Sequence, residues 1–166
     1  MLLRTYKRED AEKILNWIKN EREFRLWSAD RYDRYPALPQ DINNNYSKSK
    51  EISNFYPLTL EDNGKVIGHL ILRNPGEDKR VIRMGFIIVD NSIRGKGYGK
   101  ALIKNAIIYA REKLDAKEIN LGVFVNNEDA LYCYESVGFK ISKIEKNAYQ
   151  FYGEYWDCAE MILKDF

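Results

Sequence analysis

The stretch Arg94-Gly95-Lys96-Gly97-Tyr98-Gly99 follows an apolar run that ends at Val89-Asp90 and opens a helical periodicity lasting to about Leu114. Glycines packed this densely let a loop use positive φ and let another molecule approach the backbone without meeting a Cβ. A loop of this kind, feeding the start of a helix, presents unpaired N–H groups to an anion. The charges sharpen the reading. A helix start ordinarily carries Asp or Glu, which suit the positive end of the dipole, yet Arg94, Lys96, Lys100 and Lys104 crowd this one with no acid among them. The negative charge is left to a ligand. Counting excludes two phosphate motifs. A P-loop needs Ser or Thr after Gly-Lys, and Ala101 follows Lys100. The dinucleotide fingerprint needs a third glycine where Lys100 or Leu102 stands.

The chain of 166 residues has the length of a single domain spanning 1–166, with room for a sizeable core. Lys and Arg number 27 against 25 Asp and Glu, a net charge of +2, so no global basic field argues for nucleic acid. Cys133 and Cys158 cannot make a disulfide framework, and their spacing suggests no zinc site, which fits a reduced, cytoplasmic setting. The N-terminus meets charge too early for a signal peptide, and no apolar run has the length of a membrane span.

In chain order, residues 2 to 7 read as a short strand. A first amphipathic helix follows, with Ala11, Ile14, Leu15 and Ile18 at helical spacing, then a short second helix from about 22 to 28. Pro36, Pro39 and Asn43 to Asn45 predict a polar, broken region up to residue 50. The apolar runs 55–60 and 66–72 flank Asn63-Gly64, a strong hairpin signal. The single histidine, His69, lies inside the second run and reads as structural. Residues 81–89 form the strand that delivers the glycine loop. Leu102, Ile103, Ala106, Ile107, Ala110 and Leu114 then make the stripe by which a helix from about 98 to 114 packs on a sheet. Ile119, Leu121, Val123 and Val125 alternate as a strand, so that strands 81–89 and 118–125 become a parallel, right-handed βαβ pair. A helix from about 127 to 137 ends at Gly138, and strands 139–145 and 151–163 close the chain.

The segment after strand 118–125 carries a second motif. Asn127, Ala130, Tyr134, Gly138 and Phe139 follow the glycine loop at a separation that fits one helix and one strand. Together the two motifs resemble the GNAT N-acetyltransferases, from about Val81 to Phe139. The resemblance implies a mixed α/β fold: a mostly antiparallel central sheet splayed at one parallel strand pair, with helices on both faces. It also implies an acyltransferase that passes the acetyl group of acetyl-CoA, by direct attack, to the primary amine of a small molecule or a peptide N-terminus. In that reading Arg94, Gly95, Lys96, Gly97, Tyr98, Gly99 and Lys100 hold the pyrophosphate. The backbone of Ile88, Val89 and Asp90 pairs with the pantetheine arm, Asn127 contacts the cofactor, and Tyr134 serves the departing sulfur.

Read as residues alone, Tyr134 also shares an apolar helical face with Ala130 and Val137, and Asn127 is a good N-cap. The family pattern places a glutamate on the strand before the loop where this chain has Arg83. Glu21, Glu61 or a water chain are then the candidate bases, Asp90 at the strand end reads rather as a turn residue, and a noncatalytic CoA-binding or regulatory module is the alternative. Aromatic residues interleaved with acids over 17–35, facing Phe151 to Trp156, suit an alkylammonium acceptor or else a packed seam. The acceptor and the oligomeric state stay open, a homodimer among the options.

Overall fold

A computed structural model describes residues 1–166. The strands are β1 (Leu2–Thr5), β2 (Phe55–Asp62), β3 (Lys65–Arg73), β4 (Val81–Val89), β5 (Glu118–Phe124), β6 (Lys140–Phe151) and β7 (Glu154–Lys164). The helices are α1 (Asp10–Asn16), α2 (Glu21–Ser28), α3 (Pro39–Ile52), α4 (Tyr98–Leu114) and α5 (Glu128–Glu135). All seven strands join one sheet in the order β1-β2-β3-β4-β5-β7-β6, and every neighbouring pair is antiparallel except β4 with β5. This is the mixed, splayed sheet that the family resemblance implies.

The parallel pair is short, and the site follows from that. Val81, Ile82 and Arg83 face Glu118, Ile119 and Asn120, after which the two strands part. β4 continues against β3 while β5 continues against β7, leaving a split between residues 84–89 and 121–124. A bulge lies at the split. Gly85 to Ile88 in β4 spans the same register as Ile71 to His69 in β3, so β4 carries one extra residue, and Phe86 takes a positive φ of 49°. Bulges of this kind bend a strand and re-aim its side chains.

The cores lie on the two faces of the sheet. Leu70, Leu72, Ile82 and Met84 pack with the α4 stripe Leu102, Ile103, Ala106 and Ala110, while Val66, Ile71 and Ile88 pack with Ile14, Phe24, Ile42 and Tyr46 of α1 to α3. The β2–β3 turn is the Asn63-Gly64 pair, at φ 48° and 77°. α2 starts at Asn20, whose Oδ1 accepts from the Glu23 N–H at 2.9 Å. α4 ends at Asp115 in the left-handed region, with Arg111 and Lys113 in its last turn suiting the dipole.

Two expectations need correction. Residues 39–52 are not a broken region but a helix, α3, with Pro39 in its first turn. Pro39 lacks only an N–H that would have had no partner there, and the Asp41 carboxylate accepts from the Leu38 N–H at 2.8 Å. Tyr46 and Ile42 are buried on it, and this packing overrides the loop propensity of the Asn43–Asn45 run. The first closing strand is also longer than expected, and the second starts later. β6 continues to Phe151, and the turn is Tyr152-Gly153, both at positive φ.

Candidate active site

The split between β4 and β5 opens into a cleft of about 640 Å³. One wall is the backbone of β4 from Met84 to Val89, the opposite wall is α5 with Asn127, and the start of α4 closes one end. Gly95 and Gly97 have φ of 78° and 82°, with no atom within 4 Å of where a Cβ would stand. Gly97 is also the N-cap of α4, and no side chain caps the helix. The first helical hydrogen bond runs from the Ala101 N–H to the Gly97 carbonyl at 3.0 Å. The amides of Tyr98, Gly99 and Lys100 therefore precede the helical ladder and are free to meet an anion. Gly99 has a different role: a Cβ there would lie 3.4 Å from the Cys133 Sγ, so it lets α4 approach α5.

Along β4 the backbone groups divide by period. The Asp90 N–H donates to the Ile67 carbonyl at 2.9 Å, which points Asp90 and Ile88 toward β3. Val89 and Ile87 then turn their N–H and C=O groups the other way, into the split where no strand pairs with them. The unpaired edge belongs to those two residues rather than to the whole span 88–90. Asp90 has a structural role. Its carboxylate accepts from the Ser92 N–H (2.9 Å) and hydroxyl (2.7 Å) and pairs with the Lys65 ammonium at 3.0 Å.

Ile88, Val89, Arg94, Gly95, Gly97, Tyr98, Gly99, Lys100, Asn127 and Tyr134 all line the cleft, and Asp90 and Lys96 lie outside its wall. Asn127 occupies the N-cap position of α5, but its side chain makes no capping bond, which leaves the amide to the cleft. Tyr134 is 7% exposed and packs edge-on to Phe139, with centroids 6.3 Å apart. Burial raises its phenol well above the ordinary value, so it keeps its proton at any physiological pH.

The residues fit acetyl-CoA. Free amides, a first turn without acids, Arg94 and Lys100 suit a pyrophosphate, and the unpaired edge of β4 suits the amides of an extended arm. Residues 12–139 match the acetyltransferase (GNAT) family. The chain belongs to the GNAT acetyltransferase family. It is 26% identical to a spermidine N(1)-acetyltransferase of Vibrio cholerae over 164 residues, 98% of this chain and 92% of that one. It is 32% identical to an L-amino acid N-acetyltransferase of Escherichia coli over 99 residues, 59% of this chain and 61% of that one. The crystal structure of the Vibrio cholerae spermidine N-acetyltransferase in complex with CoA and spermine superimposes with a TM-score of 0.83 at 25% identity, covering 98% of this chain and 94% of that one. This GNAT protein is therefore an acetyl-CoA-dependent N-acetyltransferase acting on an amine, and the noncatalytic alternative gives way.

A second cavity of this GNAT protein, about 370 Å³, lies across the split and shares Leu26, Trp27, Met84, Gly85, Phe86 and Gly122 with the first. Of the aromatic and acidic seam, Trp27 alone lines it. The Glu21 carboxylate accepts from the Tyr152 hydroxyl at 2.9 Å, Glu154 pairs with Arg22 at 2.8 Å, and the Arg22 guanidinium lies over Trp156 at 5.2 Å. These groups bind α2 to the closing hairpin. The candidate bases are similarly engaged: Glu61 pairs with Arg4 at 2.6 Å, and neither Glu21, Glu61 nor Asp90 lines the cleft. Glu23 and Asp129 are the carboxylates that do. Arg83, at the expected glutamate position, crosses the split to Glu160 (2.8 and 3.0 Å) and Asn120 (3.0 Å).

His69 is structural, as its sequence context suggests. It is fully buried and hydrogen-bonded to the Tyr46 hydroxyl at 2.7 Å, and burial lowers its pKa to about 3. Sequence reasoning missed Asn45 and Ser49 of α3 in the second cavity, because that helix was hidden by its asparagines.

Proposed function

We propose that acetyl-CoA seats in the 640 Å³ cleft with its pyrophosphate on the α4 amides, and that the amine reaches it from the cavity across the split. When bound, acetyl-CoA supplies a thioester whose acetyl carbon bonds the amine nitrogen as the C–S bond breaks and coenzyme A leaves. The chain's residues prepare that exchange. The Val89 and Ile87 amides on the unpaired edge of β4 are donors for the pantetheine arm and for the carbonyl oxygen, where negative charge develops. The buried Tyr134 hydroxyl gives the departing sulfur its proton, and the proton that the nitrogen sheds as the amide forms returns through water to restore the phenol. Asn127 positions the cofactor with its uncapped amide. The amine arrives as the free base, its proton released to water, since no carboxylate stands at position 83.

The observation that carries this reading is the coincidence, in one cleft, of an uncapped glycine N-terminus, an unpaired strand edge and a protonated buried tyrosine. The names of the relatives supply two acceptor classes to try, polyamines and L-amino acids. A coupled thiol-release assay with acetyl-CoA and both classes tests it: amine-dependent release supports the reading, and none with any amine contradicts it. The whole chain, 1–166, acts as one domain in this reading. Free thiols at Cys133 and Cys158 accord with a cytoplasmic setting. β6 offers a long outer edge with exposed Ile141 and Ile144, on which a second copy could form a homodimer.

A further inference from the structure

The second cavity has the wrong charge for a polycation. Arg31 stands at its rim, Arg73 and Arg83 stand half-buried in its wall, and Glu145 is the sole acid that lines it. Glu145 is already tied to Lys143 at 2.8 Å, and Arg83 to Glu160. Arg31 and Arg73 form no ion pair within the chain. Arg73 and Arg83 are also direct cross-strand partners on β3 and β4, an arrangement in which like charges repel. Burial and then the neighbouring Arg83 and Arg31 charges lower the Arg73 pKa, with no acid opposing them. Two guanidinium groups, Arg31 and Arg73, thus face this cavity with no carboxylate partner in the chain.

We infer that this cavity binds the anionic group of the acceptor, a carboxylate or a phosphate held by Arg73 and Arg31 with Arg83 behind them, while the amine of the same molecule points to the split. Planar guanidinium forks match both anions bidentately. The spacing suits a short acceptor: Arg83 to Gly85, where the two cavities join, is a two-residue step of about 7 Å. Trp27, Phe86 and Phe124 line the remaining wall and favour an apolar side chain beside the anion, as in an amino acid with an aliphatic or aromatic residue. Asn45 and Ser49 of α3 add neutral polar groups. The inference rests on the proposed division of the two cavities between cofactor and acceptor.

The test pairs acceptors that differ only in the anion. L-leucine is compared with L-leucinamide, phosphoethanolamine with ethanolamine, and spermidine stands as the polycation. Expected is a kcat/KM for one anionic member at least about tenfold above its neutral partner and above spermidine, in the range of a charge-assisted hydrogen bond. Arg73→Ala should remove most of that ratio, Arg73→Lys restore part of it, and the KM for acetyl-CoA stay within about twofold. The leucine and phosphoethanolamine arms separate carboxylate from phosphate. Equal or better rates with the neutral partners or spermidine would overturn the inference while leaving the acetyltransferase reading intact. A binding arm covers the converse failure. N-acetyl-L-leucine and its amide are titrated into the CoA complex, and Arg73-dependent preference for the acid supports the anion subsite even without turnover. Equal binding of the two overturns it.

Discussion

In the proposed mechanism Tyr134 is the residue on which the chemistry turns: its ring is held between α5 and the core, and burial keeps the phenol protonated. Tyr134→Phe removes the hydroxyl and leaves the ring, so kcat should fall about tenfold or more while the affinity for acetyl-CoA stays nearly constant. Steady-state rates with a calorimetric titration of CoA check this, and unchanged kcat with chemistry rate-limiting would return Tyr134 to a packing role. His69 makes the opposite case, a titratable residue with no part in the site. The folded chain holds its ring neutral to about pH 3, whereas the unfolded ring takes a proton near pH 6.5. Between those values the unfolded chain binds the extra proton, so stability falls as pH falls, by about 1.4 kcal/mol per unit. His69→Gln should therefore flatten the acid side of the stability curve. Urea unfolding of both proteins between pH 7 and about 5.5 tests it, and parallel curves would contradict the assignment.

Among the elements, the ion pair that bridges the split between β4 and β5 lies directly over Gly122. A Cβ at Gly122 would stand 2.8 Å from the Arg83 Nη2 and 3.2 Å from the Glu160 Oε1. The pair that bridges the split would have to move. Because the atoms met are the ends of flexible side chains beside an exposed strand position, Gly122→Ala should change unfolding stability by less than about 1 kcal/mol, and a larger loss in the urea midpoint would show that the bridge is rigid. These elements differ in how legible they were. The α4 stripe, the Asn63-Gly64 turn and the two motifs around the β4-α4-β5 unit could be read directly, because their information is local. α3 could not, since Asn43 and Asn45 mark loops by propensity and only burial of Ile42 and Tyr46 against the sheet makes the segment helical. The glycine site was legible for the same reason as α4. The arginine cavity was not, because Arg31, Arg73 and Arg83 come from three segments. A signal existed: Arg73 and Arg83 flank one loop, and antiparallel pairing across it places them opposite one another.

At the scale of the whole molecule, a sheet that separates at one parallel pair sets two cavities side by side, the proposed cofactor and acceptor sides, which meet at Met84 to Phe86. With no carboxylate at position 83 to take the amine's proton, kcat/KM should rise with pH from about 6.5 to about 9 as the free amine becomes populated. A flat profile with chemistry rate-limiting would reveal an efficient base, for which Glu23 on the cleft wall would be the first residue to test. The central claim is that the uncapped glycine N-terminus of α4 holds the coenzyme. Its most direct test is a thermal-shift titration with CoA of the native protein and of Gly97→Val. A β-branched residue at φ 82° lowers the starting melting temperature by backbone strain, so the increment on adding CoA is what is read. The native protein should gain melting temperature with CoA concentration and the variant should gain none; equal increments in both would contradict the claim.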